Sequence, residues 1–97
     1  MKTQEMKVAR RFFIRGEVQG VGYRFFGQRA AARHQVVGYI RNRSDGSVEA
    51  YVEGPRQSVE AFKLDLATGP QFAVVQHVEE IDLEPTGHFS SFRIEHR

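Results

Sequence analysis

The chain has 97 residues, a length that leaves room for one hydrophobic core. It has no cysteine, which excludes a disulfide scaffold, a thiolate nucleophile and sulfur-ligated zinc or iron. Its apolar runs are too short for a membrane-spanning helix, and its N-terminus lacks the apolar middle of a signal peptide, so we expect a cytoplasmic protein. Residues 1–43 carry ten basic and two acidic side chains, whereas residues 44–97 carry four and ten, so halves of charge +8 and −6 predict an anionic partner for the first half.

The first predicted element is a strand that follows a polar N-terminal segment. We expect residues 1–8 to form a flexible arm and residues 9–97 to form the domain. From Arg11 onward, apolar and charged residues alternate, with Phe12 and Ile14 on one face. A period of two indicates a half-buried strand.

A glycine turn at residues 19–22 then leads into a helix over Tyr23–His34, which is rich in Ala, Gln and Arg. Two strands, Val36–Arg43 and Ser47–Glu53, follow the helix. The Asp45-Gly46 pair between them is typical of a hairpin, since Gly accepts a positive φ.

The last third of the chain predicts a second helix and two strands. The helix begins after Gly54-Pro55 and ends at Gly69-Pro70, and a strand over Val74–Leu83 and a short one around Phe92–Ile94 follow it. The resulting order is β-α-β-β-α-β with a short terminal strand added. It predicts an α+β fold of the ferredoxin-like class, a sandwich in which two helices cover one face of an antiparallel sheet.

The glycine turn is the segment richest in chemistry. A strand that passes through Gly-x-Gly into a helix leaves backbone N–H groups unpaired at the positive end of the helix, where a phosphate or carboxylate can bind. Arg24 lies in the first turn, where a guanidinium is unfavourable unless an anion lies between it and the amides. The alternative is a plain tight turn with a solvated Arg24, because a single glycine-rich loop is weakly specific.

Two longer motifs make the pattern specific. Residues 16–24, Gly-Glu-Val-Gln-Gly-Val-Gly-Tyr-Arg, resemble the first signature of the acylphosphatases, and residues 38–54 resemble the second. The resemblance covers residues 9–97 in order and without a gap. Ile40 is slightly larger than the usual residue at its position in the second motif, which is a conservative departure.

The resemblance implies a small cytosolic hydrolase that splits carboxyl–phosphate anhydrides without a metal or another cofactor. Its partners would be a small acyl phosphate and inorganic phosphate, and it would bind neither nucleic acid nor a membrane. We expect a monomer. The resemblance implies that backbone amides and Arg24 bind the phosphate and that Asn42 positions the attacking water. The amide-bearing residues are Gln19, Gly20, Val21, Gly22, Tyr23 and Arg24.

Other interpretations stay open at this point. Asn42 precedes a hairpin, where its side chain could instead cap the turn. RNA-recognition domains share the βαββαβ order, although the strand that would hold their aromatic motif is acidic here, with Tyr51 as its one aromatic residue. A third possibility is a domain that binds phosphate without hydrolysis, as acylphosphatase-like modules do inside larger carbamoyl-phosphate-using enzymes. A chain of 97 residues standing alone favours the enzyme.

Gln35 departs from a frequent feature of the family, a glycine at the end of the first helix. A glutamine in a left-handed helix end destabilises the protein by about 1 kcal/mol relative to glycine. The departure is therefore expected to affect stability more than the site.

Overall fold

The computed structural model describes residues 6–96, which form five strands and two helices in the predicted order. The elements are β1 Lys7–Glu17, α1 Tyr23–His34, β2 Val37–Asn42, β3 Val48–Pro55, α2 Arg56–Thr68, β4 Val74–Leu83 and β5 Phe92–Glu95. The fold is the predicted α+β, ferredoxin-like arrangement, and both helices pack on one face of the sheet.

The sheet has the strand order β4-β1-β3-β2-β5. The first four strands are antiparallel, as predicted, but β5 pairs with β2 in parallel, so the sheet as a whole is mixed. The prediction of a purely antiparallel sheet is therefore wrong for the last strand. The cause is topological, since β5 adds to the free edge of β2 and runs in the same direction as that strand.

The hydrophobic core lies between the sheet and the helices. Phe12 and Ile14 of β1 are fully buried, as their alternation predicts. They face the helix α2, whose buried residues are Val59, Phe62 and Leu66. Neither helix in residues 6–96 is long and apolar enough to cross a membrane.

The first strand begins earlier than the sequence indicates. Lys7 and Val8, placed in the predicted arm, pair with Pro55 and Gly54 of β3. The main-chain oxygen of Met6 also accepts a hydrogen bond from the Arg56 N–H at 3.0 Å. The sheet extends this far because the end of β3 offers a strand edge with which the polar segment can pair. The remainder of the predicted arm, residues 1–5, lies outside the described residues.

Ile40, the larger residue in the second motif, is fully buried against α1. A Cβ built on Gly27 would lie 2.6 Å from Ile40 Cδ1, so the missing side chain of this helical glycine leaves room for the larger side chain. Sheet and helix approach closely here because a small residue faces a large one. The departure at Ile40 is thus matched by the residue packed against it.

Gln35 adopts the left-handed conformation, with φ 57° and ψ 47°, and is the one non-glycine residue with positive φ in the described part of the chain. Its N–H bonds to the Ala32 oxygen at 3.3 Å, and the Val36 N–H bonds to the Ala31 oxygen at 3.1 Å. These two bonds form a Schellman motif, which usually carries glycine at this position. The expected strain at Gln35 is therefore present in the backbone.

Candidate active site

The loop between β1 and α1 has a backbone that requires glycine at two places. Gly20 and Gly22 have φ of 76° and 77°, in the left-handed region that other residues enter at a cost. No heavy atom lies within 4 Å of a Cβ built on either glycine. The two glycines are needed for the turn itself, and they leave the loop open on its outer side.

The N–H groups at the start of α1, before Phe26, have no hydrogen-bond partner within residues 6–96. Gly22 precedes the helix without a side-chain cap, and no acidic residue lies in the first turn. Within residues 6–96, no backbone N–H from Gln19 to Phe25 donates a hydrogen bond to a protein acceptor. Unpaired donors at the positive end of a helix form a binding place for an anion.

Arg24 is half-buried beside this loop, and the end of the last strand holds its side chain. Its Nη1 donates to the main-chain oxygen of Glu95 at 3.2 Å and lies 3.3 Å from His96 Nδ1. These contacts hold the guanidinium beside the loop. No local sequence pattern indicates this contact with His96, because it joins positions 72 residues apart.

Asn42 is the last residue of β2 and pairs with Val48 across the hairpin. Its side-chain amide makes no hydrogen bond within residues 6–96. The hairpin is capped by Asp45, whose Oδ1 accepts hydrogen bonds from the Ser47 N–H at 3.0 Å and from Ser47 Oγ at 2.6 Å. The alternative in which Asn42 caps the turn is therefore wrong, and the amide is left for another partner.

Gln19 joins the loop to this hairpin. Its side-chain Nε2 donates to the main-chain oxygens of Arg43 and Ser47, both at 2.8 Å. The two bonds fix the loop against the end of β2, so they fix Asn42 relative to the unpaired N–H groups. The sequence places Gln19 among the phosphate-binding amides, and the structure adds this bridging role for its side chain.

The side chains of Val21 and Tyr23 are directed to the core. Val21 packs against the core cluster, and the buried Tyr23 hydroxyl donates to the main-chain oxygen of Leu66 at 2.6 Å. Burial raises the pKa of the Tyr23 hydroxyl far above its ordinary value. These two residues can therefore offer a ligand only their backbone, and Tyr23 fixes α1 against α2.

Two adjoining concavities bring these groups together, and both are lined by Arg24 and Asn42. The polar concavity, of about 390 Å³, is lined by Gln19, Arg24, Asn42, Arg43, Ser44 and His96. The loop concavity, of about 150 Å³, is lined by Val18, Gly20, Gly22, Tyr23, Arg24, Phe25 and Asn42. The residues that the two motifs singled out, far apart in the sequence, therefore lie around one place in the fold.

The arginine side chains near the site differ in whether a carboxylate already pairs with them. Arg41 is neutralised by Glu49, with Nη2–Oε1 and Nε–Oε1 distances of 2.9 and 3.0 Å. Arg43 lies over the Phe13 ring at 4.6 Å and also lines the polar concavity. Arg43 also forms an ion pair with Asp45, with an Nη1–Oδ2 distance of 3.7 Å. The positive charge at the loop therefore rests mainly on Arg24.

Asp45 is a carboxylate within the hairpin turn, where it accepts hydrogen bonds from Ser47. Hydrogen bonds from the Ser47 side chain and N–H, with Arg15 and Arg43 close by, hold the pKa of Asp45 well below its usual range. A carboxylate that binds a proton so weakly is a poor general base at neutral pH.

Within residues 6–96, no group of three or more His, Asp or Glu side chains is arranged to hold a metal ion.

Comparisons with known proteins agree with this arrangement. Residues 10–94 match the family model described as Acylphosphatase. The chain is 42% identical over 91 residues to an acylphosphatase of Koribacter versatilis, a match that covers 94% of this chain and 83% of the relative.

Solved structures give the same result. The acylphosphatase from Bacillus subtilis superposes with a TM-score of 0.88 at 31% identity, covering 91% of this chain and 98% of that one. A full-length HypF in a phosphate- and nucleotide-bound form superposes with a TM-score of 0.87 at 27% identity, covering 98% of this chain and 12% of that one.

Proposed function

The chain belongs to the acylphosphatase family of hydrolases, and we propose that it splits the carboxyl–phosphate bond of small acyl phosphates by in-line attack of water, without a metal. The observation that carries the proposal is the meeting of Arg24, Asn42 and the unpaired loop amides around two adjoining concavities. The family acts on small acyl phosphates, which agrees with a site of this size and charge.

The phosphoryl group binds at the loop in this proposal. The backbone N–H groups from Gln19 to Arg24 donate to its oxygens, and the Arg24 guanidinium donates to them from the side. Charge in phosphoryl transfer spreads over the three equatorial oxygens. Donors held rigidly before the substrate arrives stabilise that charge, and the contacts of Arg24 with Glu95 and His96 support such preorganisation.

Asn42 holds the water in this proposal. A side-chain amide has both donor and acceptor atoms, so it can bind a water molecule and fix its direction. The support is that this amide makes no hydrogen bond within residues 6–96, while Gln19 fixes its strand against the loop.

The reaction balances with these groups alone. The water oxygen forms a bond to phosphorus, the bond from phosphorus to the acyl oxygen breaks, and the carboxylate leaves with the electron pair. A phosphoryl oxygen takes the proton from the water, so the products are a carboxylate and dihydrogen phosphate. A carboxylate is a good leaving group, so positioning and charge stabilisation are what the protein must supply.

The experiment that tests the function is hydrolysis of acetyl phosphate by the purified protein, measured with EDTA and separately with added Mg²⁺. We expect turnover well above the spontaneous rate and equal in the two conditions. Turnover only with Mg²⁺ would refute the metal-free mechanism, and no turnover in either would refute the function.

The match to HypF favours a second candidate, in which the domain binds phosphate without hydrolysis. The observation behind it is that nearly the whole chain matches a small part of a much larger protein. The same assay separates the two candidates, because a binding domain would bind inorganic phosphate and yet leave acetyl phosphate intact.

We propose that the hydrolase acts as a monomer, and sedimentation at working concentration tests that state.

A further inference from the structure

The helix α1 carries a large aromatic side chain directly after Arg24. Phe25 is 63% exposed and makes no aromatic pair within residues 6–96. Its neighbour Phe26 behaves differently, since it pairs with Tyr23 at a centroid distance of 6.0 Å. A single exposed aromatic residue is ordinary on a protein surface, so the location of Phe25 decides whether it has a role.

That location is the loop concavity, which Phe25 lines together with Arg24 and Asn42. Gly20 and Gly22 form another part of its lining, and no side chain projects from them. An exposed aromatic ring is therefore adjacent to the place where the phosphoryl group is proposed to bind.

The two concavities beside Asn42 differ in character. The polar concavity is lined by Arg43, Ser44 and His96, whereas the loop concavity has Val18 and Phe25 in its lining. An acyl group with further charges would be drawn to the polar concavity. An apolar acyl group would lose contact with water by lying against Phe25 in the loop concavity.

We propose that Phe25 is a specificity residue that makes the enzyme prefer acyl phosphates with an aromatic or other bulky apolar acyl group. This inference rests on the proposed function, because it places the acyl group beside a phosphoryl group held by the loop. Benzoyl phosphate is large enough for its ring to stack on Phe25. Acetyl phosphate, with one methyl group, gains little from that contact.

The test compares kcat/KM for benzoyl phosphate and acetyl phosphate in the wild type and in Phe25→Ala. The quantity of interest is the ratio of the two values, which cancels any change common to both substrates. We expect Phe25→Ala to lower the benzoyl-to-acetyl ratio by about two- to tenfold, mainly through KM for benzoyl phosphate. Phe25→Leu should retain part of the preference, because it keeps an apolar side chain.

Phe72→Ala is the matched control, since Phe72 is 74% exposed and lines neither concavity. It should leave both substrates unchanged. An unaltered ratio in Phe25→Ala, or an equal fall in Phe72→Ala, would overturn the inference. Thermal unfolding of each variant checks that the fold is kept, which the exposure of both side chains favours.

Failure of the proposed function would be seen separately, as no hydrolysis of either substrate by the wild type. Binding of benzylphosphonate and methylphosphonate, measured by calorimetry, then decides the inference without turnover. A preference for the benzyl compound that Phe25→Ala removes supports the role of Phe25. Equal affinities in the wild type would overturn it.

Discussion

Two polar regions at opposite ends of the β2–β3 ladder differ in how their hydrogen-bonding groups are used. At one end, the buried Glu53 carboxylate accepts hydrogen bonds from the Tyr51 hydroxyl, from the Thr86 N–H and hydroxyl, and from the Gly87 N–H, at 2.5 to 3.2 Å. At the other end, the Asn42 amide and the N–H groups of the loop have no partner within residues 6–96. The first region is closed, and the second is open to a ligand.

The difference between the two regions predicts which substitutions change stability and which change activity. Polar groups in the closed region already have the partners that folded proteins provide for buried polar atoms. The open region leaves donors solvated, and a ligand with phosphate oxygens can replace that water. Substitutions in the open region should therefore change activity at nearly constant stability, and substitutions in the closed region should do the reverse.

The largest effect is expected for Arg24→Ala. Removing a charged donor that stabilises the transition state should lower kcat/KM for acetyl phosphate by about 10³-fold and abolish binding of inorganic phosphate. The melting temperature should change little, since the side chain is only half-buried. Arg29→Ala on the exposed side of the same helix is the control and should keep full activity. An Arg24→Ala variant within tenfold of the wild type would refute the role of Arg24.

Asn42→Ala should have the next largest effect and a different signature. A water that is no longer held in line should lower kcat by about 10²-fold. The Kd for inorganic phosphate should stay close to the wild-type value, because the loop amides and Arg24 are intact. Calorimetry with phosphate and steady-state kinetics together measure this split. Full activity in the variant would contradict the assignment of water positioning to Asn42.

The conformation of the glycine turn is predictable from the sequence for a physical reason. Its conformation depends on local chemistry, since two glycines permit the turn and the start of a helix follows at once. Gly20, Gly22 and Arg24 lie within five consecutive residues, so their proximity needs no knowledge of the fold. Asn42 could be added because a second motif accompanied the first at a suitable distance.

Contacts between residues far apart in the chain could not be predicted from the sequence. The bonds from Gln19 to Arg43 and Ser47, and the contact between Arg24 and His96, join residues that only the folded sheet brings together. The parallel pairing of β5 with β2 could not be predicted for the same reason. Single-strand patterns specify which residues face the core, but they do not specify which edge a short last strand will join.

Glu53→Gln tests the closed region. The amide keeps the volume but offers one acceptor atom in place of two, so at least one of the donors around it loses its partner. We expect a loss of about 1–3 kcal/mol in the free energy of unfolding, measured by urea denaturation at pH 7. Acetyl phosphate hydrolysis should be unchanged. Glu60→Gln, at a half-exposed side chain, is the control and should alter stability by about 0.5 kcal/mol or less.

The same carboxylate predicts how stability depends on pH. Burial alone would raise the pKa of Glu53, but the hydrogen bonds from Tyr51, Thr86 and Gly87 outweigh it and hold the pKa below its ordinary value. The contribution of Glu53 is therefore fully present above the unfolded-state pKa of about 4.3 and is lost as the pH falls through the folded-state pKa.

Urea denaturation at a series of pH values between 7 and 3 tests this dependence. The Glu53→Gln variant has no proton to bind at this position, so its stability should fall less steeply with acid than that of the wild type. The difference between the two proteins should narrow below about pH 4.3. A constant difference over the whole series would show that the ionisation of Glu53 contributes nothing.

The smallest effect is expected for Gln35, which lies at the C-terminal end of α1. The open region lies at the N-terminal end of the same helix. The side chain is exposed and makes no hydrogen bond within residues 6–96, so Gln35→Gly removes left-handed strain and leaves both Schellman bonds intact. We expect a gain of about 1 kcal/mol in the free energy of unfolding, reduced somewhat by the greater entropy of glycine in the unfolded chain. Gln35→Ala is the control, because it removes the same side chain but keeps the Cβ that causes the strain. A gain in stability in both variants would assign the effect to the side chain and not to the backbone. The value of kcat/KM should be unchanged in either variant, since neither substitution touches a group of the open region.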